Sequence, residues 1–233
     1  MRRGKMGVIT ALEVQKRNKK RVNVFVDGEF AFSLSLDDAA RLRKGQSLSD
    51  ADVQTLQKGD SVKRAVDSAA RLLTTRPRSE HEIRRKLEEH ENPPAVIDAA
   101  VEKLTELGYV DDHAFATFWV QQRSANKPLS PQALRYELRQ KGVSDPIIAE
   151  VLGDVNPDES AARAARARVA RLRGSTRRDF RENISGFLLR RGFQFSVVKV
   201  VINDLIESLE AEDPSFFAHE GDDDDPNTSG DWE

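Results

Sequence analysis

The chain has 233 residues, room for one large domain or two ordinary ones; 38% are apolar and 33% charged, which allows a core but a thin one. No run of about 18 apolar residues offers a membrane span, and the absence of cysteine excludes disulfides, thiol nucleophiles and the usual cysteine-based zinc sites. The formal net charge of −2 hides an asymmetry: eleven acids and no Lys or Arg lie between Glu207 and Glu233, so residues 1–206 carry +9, a balance that suits a polyanionic partner or an acidic protein surface.

The N-terminal segment, MRRGKMGVITALEV, is basic but has no uninterrupted apolar stretch, so it does not read as a secretory signal, and a cytoplasmic protein is expected. Val22, Val24 and Val26 alternate with Asn23, Phe25 and Asp27. After Asp27-Gly28, Phe30, Phe32 and Leu34 alternate again. Asp-Gly between two alternating runs predicts a hairpin, because a type I′ turn needs positive φ at both central residues. An earlier strand, Ile9 to Gln15, joins through the basic turn 17–21 to give a three-stranded meander. Such a sheet is too small to be stable unless it packs on something. Two short helices are expected next, near Asp37 to Lys44 and Ser49 to Gln57, the second capped by Ser49 and Asp50.

After Gly59 the strand signals stop and the chain repeats itself. Ser79-Glu-His-Glu-Ile-Arg-Arg-Lys-Leu87 aligns without gaps on Ser130-Pro-Gln-Ala-Leu-Arg-Tyr-Glu-Leu138, an offset of 51 residues. Leu138 to Val143 matches Leu188 to Phe193 at an offset of 50. Self-similarity at this period predicts an array of like units, each read as three helices. In the first unit the helices run about Ser61 to Thr75, Ser79 to Glu89 and Pro94 to Leu107. In the second they run about Asp111 to Asn126, Ser130 to Lys141 and Asp145 to Leu152. In the third they run about Asp158 to Arg173, Thr176 to Arg191 and Phe195 to Leu209. Val62, Ala65, Val66, Ala69, Leu72 and Leu73 fall on one helical face, as do Ile97, Val101, Leu104 and Leu107. Ala114, Phe115, Phe118 and Trp119, and later Val197, Val198, Val201, Leu205 and Leu209, give two further stripes. Ser79 with Glu82 suggests a capping box, Pro94 opens a helix, and Gly108 and Gly142 are placed to stop one. From Asp213 the composition turns to Asp, Gly, Pro and Ser, a disordered acidic tail.

Catalytic chemistry finds no footing. None of His81, His90, His113 and His219 has the i, i+4 partner of a helical zinc site, and surface positions are expected for them. Neither G-x-x-x-x-G-K-[ST] nor G-x-G-x-x-G occurs. Asp111 and Asp112, beside Tyr109, read as a helix N-terminus, where acids meet free N–H groups and the dipole. No cofactor, no metal and no enzymatic activity are expected.

The basic signal concentrates between Asp158 and Gly192, where ten arginines meet four acids and no lysine. They are Arg163, Arg166, Arg168, Arg171, Arg173, Arg177, Arg178, Arg181, Arg190 and Arg191. Guanidinium groups suit planar contact with phosphate or carboxylate. Arg163, Arg166 and Arg173 would share one side of a helix. We take Arg163, Arg166, Arg171, Arg173, Arg177, Arg178, Arg181, Arg190 and Arg191 as the candidate partner-binding set, against the plain reading of a solvated helix face.

The repeats carry a resemblance. Ser79 to Leu87, then Leu104-Thr-Glu-Leu-Gly108-Tyr109-Val110-Asp111-Asp112-His-Ala-Phe115-Ala116, then Arg123, then Leu134 to Val143, resemble the RecX family of regulatory proteins over about residues 60–210. The β-rich start resembles the extra N-terminal region of longer members. The resemblance implies a modular, elongated array of three-helix repeats without a catalytic site. It also implies binding to the RecA recombinase and its filament on single-stranded DNA, with inhibition of ATP hydrolysis, strand exchange and coprotease activity. Leu87, Tyr109, Phe115 and Leu138 of the motif are read as packing residues. The third unit departs from the motif, with an insertion near Glu182 to Gly186.

The expected fold is therefore mainly α. A β-rich module (1–59) precedes three three-helix repeats (60–109, 110–156, 157–212), and a disordered acidic tail (213–233) follows. The expected function is a monomeric, non-enzymatic inhibitor of RecA with weak direct contact to DNA and none to membranes. The alternatives are a DNA-binding regulator that places its helices in the major groove and a helical scaffold unrelated to RecA.

Overall fold

The structure, a computed structural model, describes residues 6–218. The chain divides into two compact units between Asp111 and Asp112, each with its own cores.

The first unit opens with strands β1 (Met6–Val14), β2 (Arg21–Val26) and β3 (Glu29–Ser35), then one helical turn α1 (Leu36–Ala39) and strand β4 (Ser47–Ser49). The sheet is antiparallel in the order β3-β2-β1-β4. The Asp-Gly hairpin forms as expected, with φ of 51° at Asp27 and 88° at Gly28. Ile9, Val22, Val24, Phe32, Leu34 and Leu48 make the buried face. Two expectations need correction. The sheet has four strands, not three, because Ser47–Ser49 is too short to show alternation in the sequence yet pairs with Met6–Val8. The expected helix from Asp37 to Lys44 is the single turn α1.

A third correction is larger. The two helices expected at Ser49–Gln57 and Ser61–Thr75 are one helix, α2 (Asp50–Leu73). The boundary drawn at residue 59 therefore falls inside a continuous helix. Gly59 costs the helix about 1 kcal/mol relative to alanine, too little to stop it, and the next residue anchors it. Asp60 is 5% exposed. Arg21 of β2 donates to its carboxylate from Nη1 and Nη2, both at 2.9 Å. Arg64 Nε lies 3.2 Å from Oδ2, and the Ser35 N–H donates to Oδ1 at 3.1 Å. A buried carboxylate satisfied on all sides thus ties the sheet to α2. The other end of α2 packs Ala65 and Ala69 against α3 (Glu80–Glu88) and α4 (Pro94–Glu106), around Ile83, Leu87, Ile97, Val101 and Leu104.

The second unit holds α5 (Asp112–Asn126), α6 (Pro131–Gln140) and α7 (Asp145–Gly153), then α8 (Pro157–Val169), a 3₁₀ turn (Ala170–Leu172), α9 (Arg177–Leu189) and α10 (Phe195–Glu212). The repeat is plain in the buried positions. Ile83, Leu134 and Ile184 correspond, as do Leu87, Leu138 and Leu188, then Ile97, Ile148 and Val198, then Val101, Leu152 and Ile202; all twelve are buried. The offset is 51 and then 50 throughout. Gly108, Gly142 and Gly192 end helices with φ near 71°, 79° and 82°, a backbone region that favours glycine.

Several expectations fail here, for identifiable reasons. The constant offset from Leu134/Ile184 to Leu152/Ile202 leaves no insertion near Glu182 to Gly186; the extra residues of α9 lie at its N-terminal end, where Thr176 caps Asp179. Tyr109 of the motif is not a packing residue but is 61% exposed, and Leu107 is also exposed. Both stand at the Gly108 stop, where the chain leaves the helical stripe. Ala114 is exposed, and Ala116 and Val120 take its place in the core beside Phe115. Residues 213–218 are not tail: Phe216 and Phe217 are buried against Phe180, with ring centroids 6.3 and 5.3 Å from it. Gly174 N–H donates to Phe216 O and Ala218 N–H to Ser175 O. The rest of the expected tail, and His219, lie outside the described residues. His81, His90 and His113 are exposed.

Candidate functional site

The arginines of the third repeat separate into small groups, each fixed by its element. Arg163 and Arg166 share the exposed side of α8 and line a groove of about 610 Å³ against α10, with Val169, Val201, Leu205 and Leu209 in its floor. Asp158, Glu159, Asp204 and Glu212 line the same groove, so its charge is mixed. Arg173 does not continue this row. The α-helix stops at Val169, and Arg173 is extended (φ −62°, ψ 132°) ahead of Gly174. The helical spacing that joined the three arginines therefore does not apply. Arg173 pairs with Asp213 and Arg177 with Glu210, closing the C-terminal turn onto α9. Arg178 Nε lies 3.3 Å from Glu182, and Arg181 Nη1 donates to Asn203 at 2.7 Å. Arg171 and Arg190 are exposed and have no ion pair among the described residues. Arg168 and Arg191 both stack on Phe187, at 4.6 and 4.4 Å from the ring centroid.

Arg191 also joins the second repeat to the third. Its Nη1 donates to Pro128 O at 2.8 Å, and its carbonyl accepts from Ser130 N–H at 3.2 Å. Burial, and secondarily the positive charge of Arg168, push its guanidinium below the usual arginine value. Gly192 follows in the same seam. A Cβ there would stand 2.8 Å from Ser130 Oγ and 3.1 Å from Ala133 Cβ. The N-terminus of α6 therefore rests directly on the α9–α10 turn.

Above this seam lies a surface of which the sequence marked only Arg190 and Arg191, because Arg135, Tyr136 and Arg139 sit inside the packing motif. Tyr136 of α6 is 66% exposed. It stands between two depressions. One, of about 660 Å³, is lined by Gln132, Arg135, Arg139, Gln194 and Val197; the other by Leu189, Arg190, Arg191 and Gly192. Arg139 Nε donates to Asp145 Oδ1 at 2.7 Å. That bond, with the charges of Arg139 and Arg135, holds the Asp145 carboxyl below its ordinary value, against a smaller opposing effect of burial.

Other motif residues have structural work. Glu137 accepts from Trp119 Nε1 (2.8 Å) and Arg123 Nε (2.7 Å), while Arg123 and Lys141 lie 4.6 and 4.9 Å from the Trp119 ring centroid. This cluster ties α5 to α6. Among the described residues, no three His, Asp or Glu are grouped to hold a metal ion, and no helix is long and apolar enough to cross a membrane.

Comparison with known proteins accounts for the same segments. The regulatory protein RecX N-terminal domain matches residues 7–49, the first RecX three-helix domain residues 65–104, and the second residues 111–152. A regulatory protein RecX of Bacillus velezensis is 33% identical over 221 residues, covering 92% of this chain and 84% of the relative. Those of Listeria welshimeri and Lactobacillus delbrueckii are 31% and 34% identical, covering 92% and 89% of this chain and 79% and 78% of the relatives. A crystal structure of regulatory protein RecX superposes with a TM-score of 0.66 at 27% identity, covering 84% of this chain and 99% of its own. That of RecX from Lactobacillus salivarius gives 0.56 at 21% identity over 64% of this chain, a likeness of fold.

Proposed function

The chain belongs to the RecX family of regulatory proteins, and from that premise we propose that it binds the RecA recombinase and the RecA filament on single-stranded DNA and inhibits its ATPase, strand-exchange and coprotease activities. In this reading it acts in the cytoplasm, as a monomer, without chemistry of its own. The observation that carries the proposal is the continuous similarity from the N-terminal sheet through both matched three-helix domains, over 84% of the length of the Bacillus velezensis relative. The physical character of the second unit supports it: arginines on several exposed faces and open grooves suit an extended, anionic partner. The test is cosedimentation of the full chain with RecA assembled on single-stranded DNA. Recovery with the filament in proportion to RecA is expected. Recovery no greater than with DNA-free buffer, and none with free RecA, would overturn the proposal and leave a scaffold unrelated to RecA.

A further inference from the structure

We propose that the surface centred on Tyr136 binds single-stranded nucleic acid directly, with a base stacked on the tyrosine ring and the flanking phosphates held by Arg135 and Arg190. The inference rests on the reading above for the setting in which a strand is met, and it goes further by naming the strand, not the recombinase, as the contact of this surface.

Three observations lead there. First, Tyr136 stands with two-thirds of its surface in solvent, and its hydroxyl makes no hydrogen bond among the described residues. Second, its surroundings are cationic and amide-bearing: Gln132, Arg135, Arg139 and Gln194 on one side, Arg190 and Arg191 on the other. The two carboxylates nearby are already engaged, Glu137 by Trp119 and Arg123 and Asp145 by Arg139. Arg135 and Arg190 have no ion pair among the described residues. Third, the platform is held still. Ser130 N–H on the Arg191 carbonyl, Arg191 on the Pro128 carbonyl and the close approach at Gly192 fix α6 to the α9–α10 turn. An exposed ring flanked by guanidinium groups, on a rigid base, is the chemistry that takes unpaired bases. Every base offers a π-face, and each phosphate a bidentate acceptor. Duplex DNA, whose bases are stacked within, would leave the ring unused.

The test omits the recombinase. The full chain is titrated into a fluorescein-labelled oligothymidylate at low salt and followed by anisotropy. Tyr136→Ala should weaken binding about tenfold or more, and Tyr136→Phe, which keeps the ring, by less than about twofold. Arg190→Gln should make the dependence of affinity on salt shallower, by about 0.7 in the logarithmic slope. The same duplex sequence should bind with no dependence on Tyr136. Because the ring is exposed, the thermal transition by circular dichroism should be unchanged in each variant. Equal affinity of Tyr136→Ala and the parent, equal losses in the Ala and Phe variants, or no binding by the parent would each overturn the inference. If the parent fails here yet still slows ATP hydrolysis by RecA, the inference falls while the proposed function stands.

Discussion

Replacing Asp60 by asparagine should undo the junction between the sheet and α2. The carboxylate receives both Arg21 nitrogens, the Arg64 guanidinium and the Ser35 N–H, and its own side chain is 4% exposed while that of Arg21 is 18% exposed. The amide keeps one acceptor oxygen but presents an NH₂ to donors and leaves the Arg21 charge uncompensated in a confined site. Breaking one side of a buried pair costs about 3–5 kcal/mol. Arg21 retains some solvent and two bonds to Ser33, so we expect the lower end, about 3 kcal/mol, or roughly a hundredfold in the opening equilibrium. Hydrogen exchange read by mass spectrometry localises the effect. Peptides covering residues 21–35 and 50–73 should exchange about a hundredfold faster, and those covering residues 180–206 at the parental rate. The urea midpoint by circular dichroism should fall with it. Arg21→Met combined with Asp60→Leu should recover most of the loss, because an apolar pair of similar size needs no charge compensation. A loss within about 0.5 kcal/mol for Asp60→Asn, or exchange unchanged in both peptides, would refute the claim that this carboxylate joins the two elements.

Leu87→Ala, Leu138→Ala and Leu188→Ala should each destabilise by about 2–5 kcal/mol in urea titrations, since the three occupy one buried position in successive repeats; a surface-sized effect at any of them would break the repeat correspondence. Gly192→Ala, with φ of 82° and two neighbours inside van der Waals contact, should cost more than Gly108→Ala, which has φ of 71° and open space around it. About 1–2 kcal/mol is expected from the backbone alone at Gly108, and equal midpoints for the two variants would show that the seam can yield. Reversing Arg163 and Arg166 to Glu should weaken binding to RecA filaments and make the remaining affinity less sensitive to salt. Unchanged affinity would return these residues to a solvated role.

What the sequence made legible follows from period and punctuation. The hairpin at Asp27-Gly28, the helix stops at Gly108 and Gly142 and the leucine ladder from Leu87 to Leu188 are local signals, and tertiary packing left them in place. The continuity of α2 was hidden because Gly59 looks like a break, and because Asp60 is a surface residue type whose buried partner, Arg21, lies 39 positions away. The end of the third repeat was hidden for the opposite reason. Phe216 and Phe217 sit among acidic residues and carry no periodicity, yet Phe180 gives them a place in the core. At the candidate site, counting arginines found the basic repeat but not its geometry. The helix end at Val169 turns Arg173 away from Arg163 and Arg166, and acids from α10 and beyond take up Arg173 and Arg177. Tyr136 was passed over because a tyrosine within an amphipathic motif reads as core until its exposure is known.

Inhibition of RecA is read from the steady-state rate of single-stranded-DNA-dependent ATP hydrolysis by RecA, measured with this chain added at substoichiometric amounts. The rate should fall as the chain is added, reaching strong inhibition well below one chain per RecA protomer. A rate that stays at the value without the chain up to equimolar amounts, with the protein folded by circular dichroism, would contradict it.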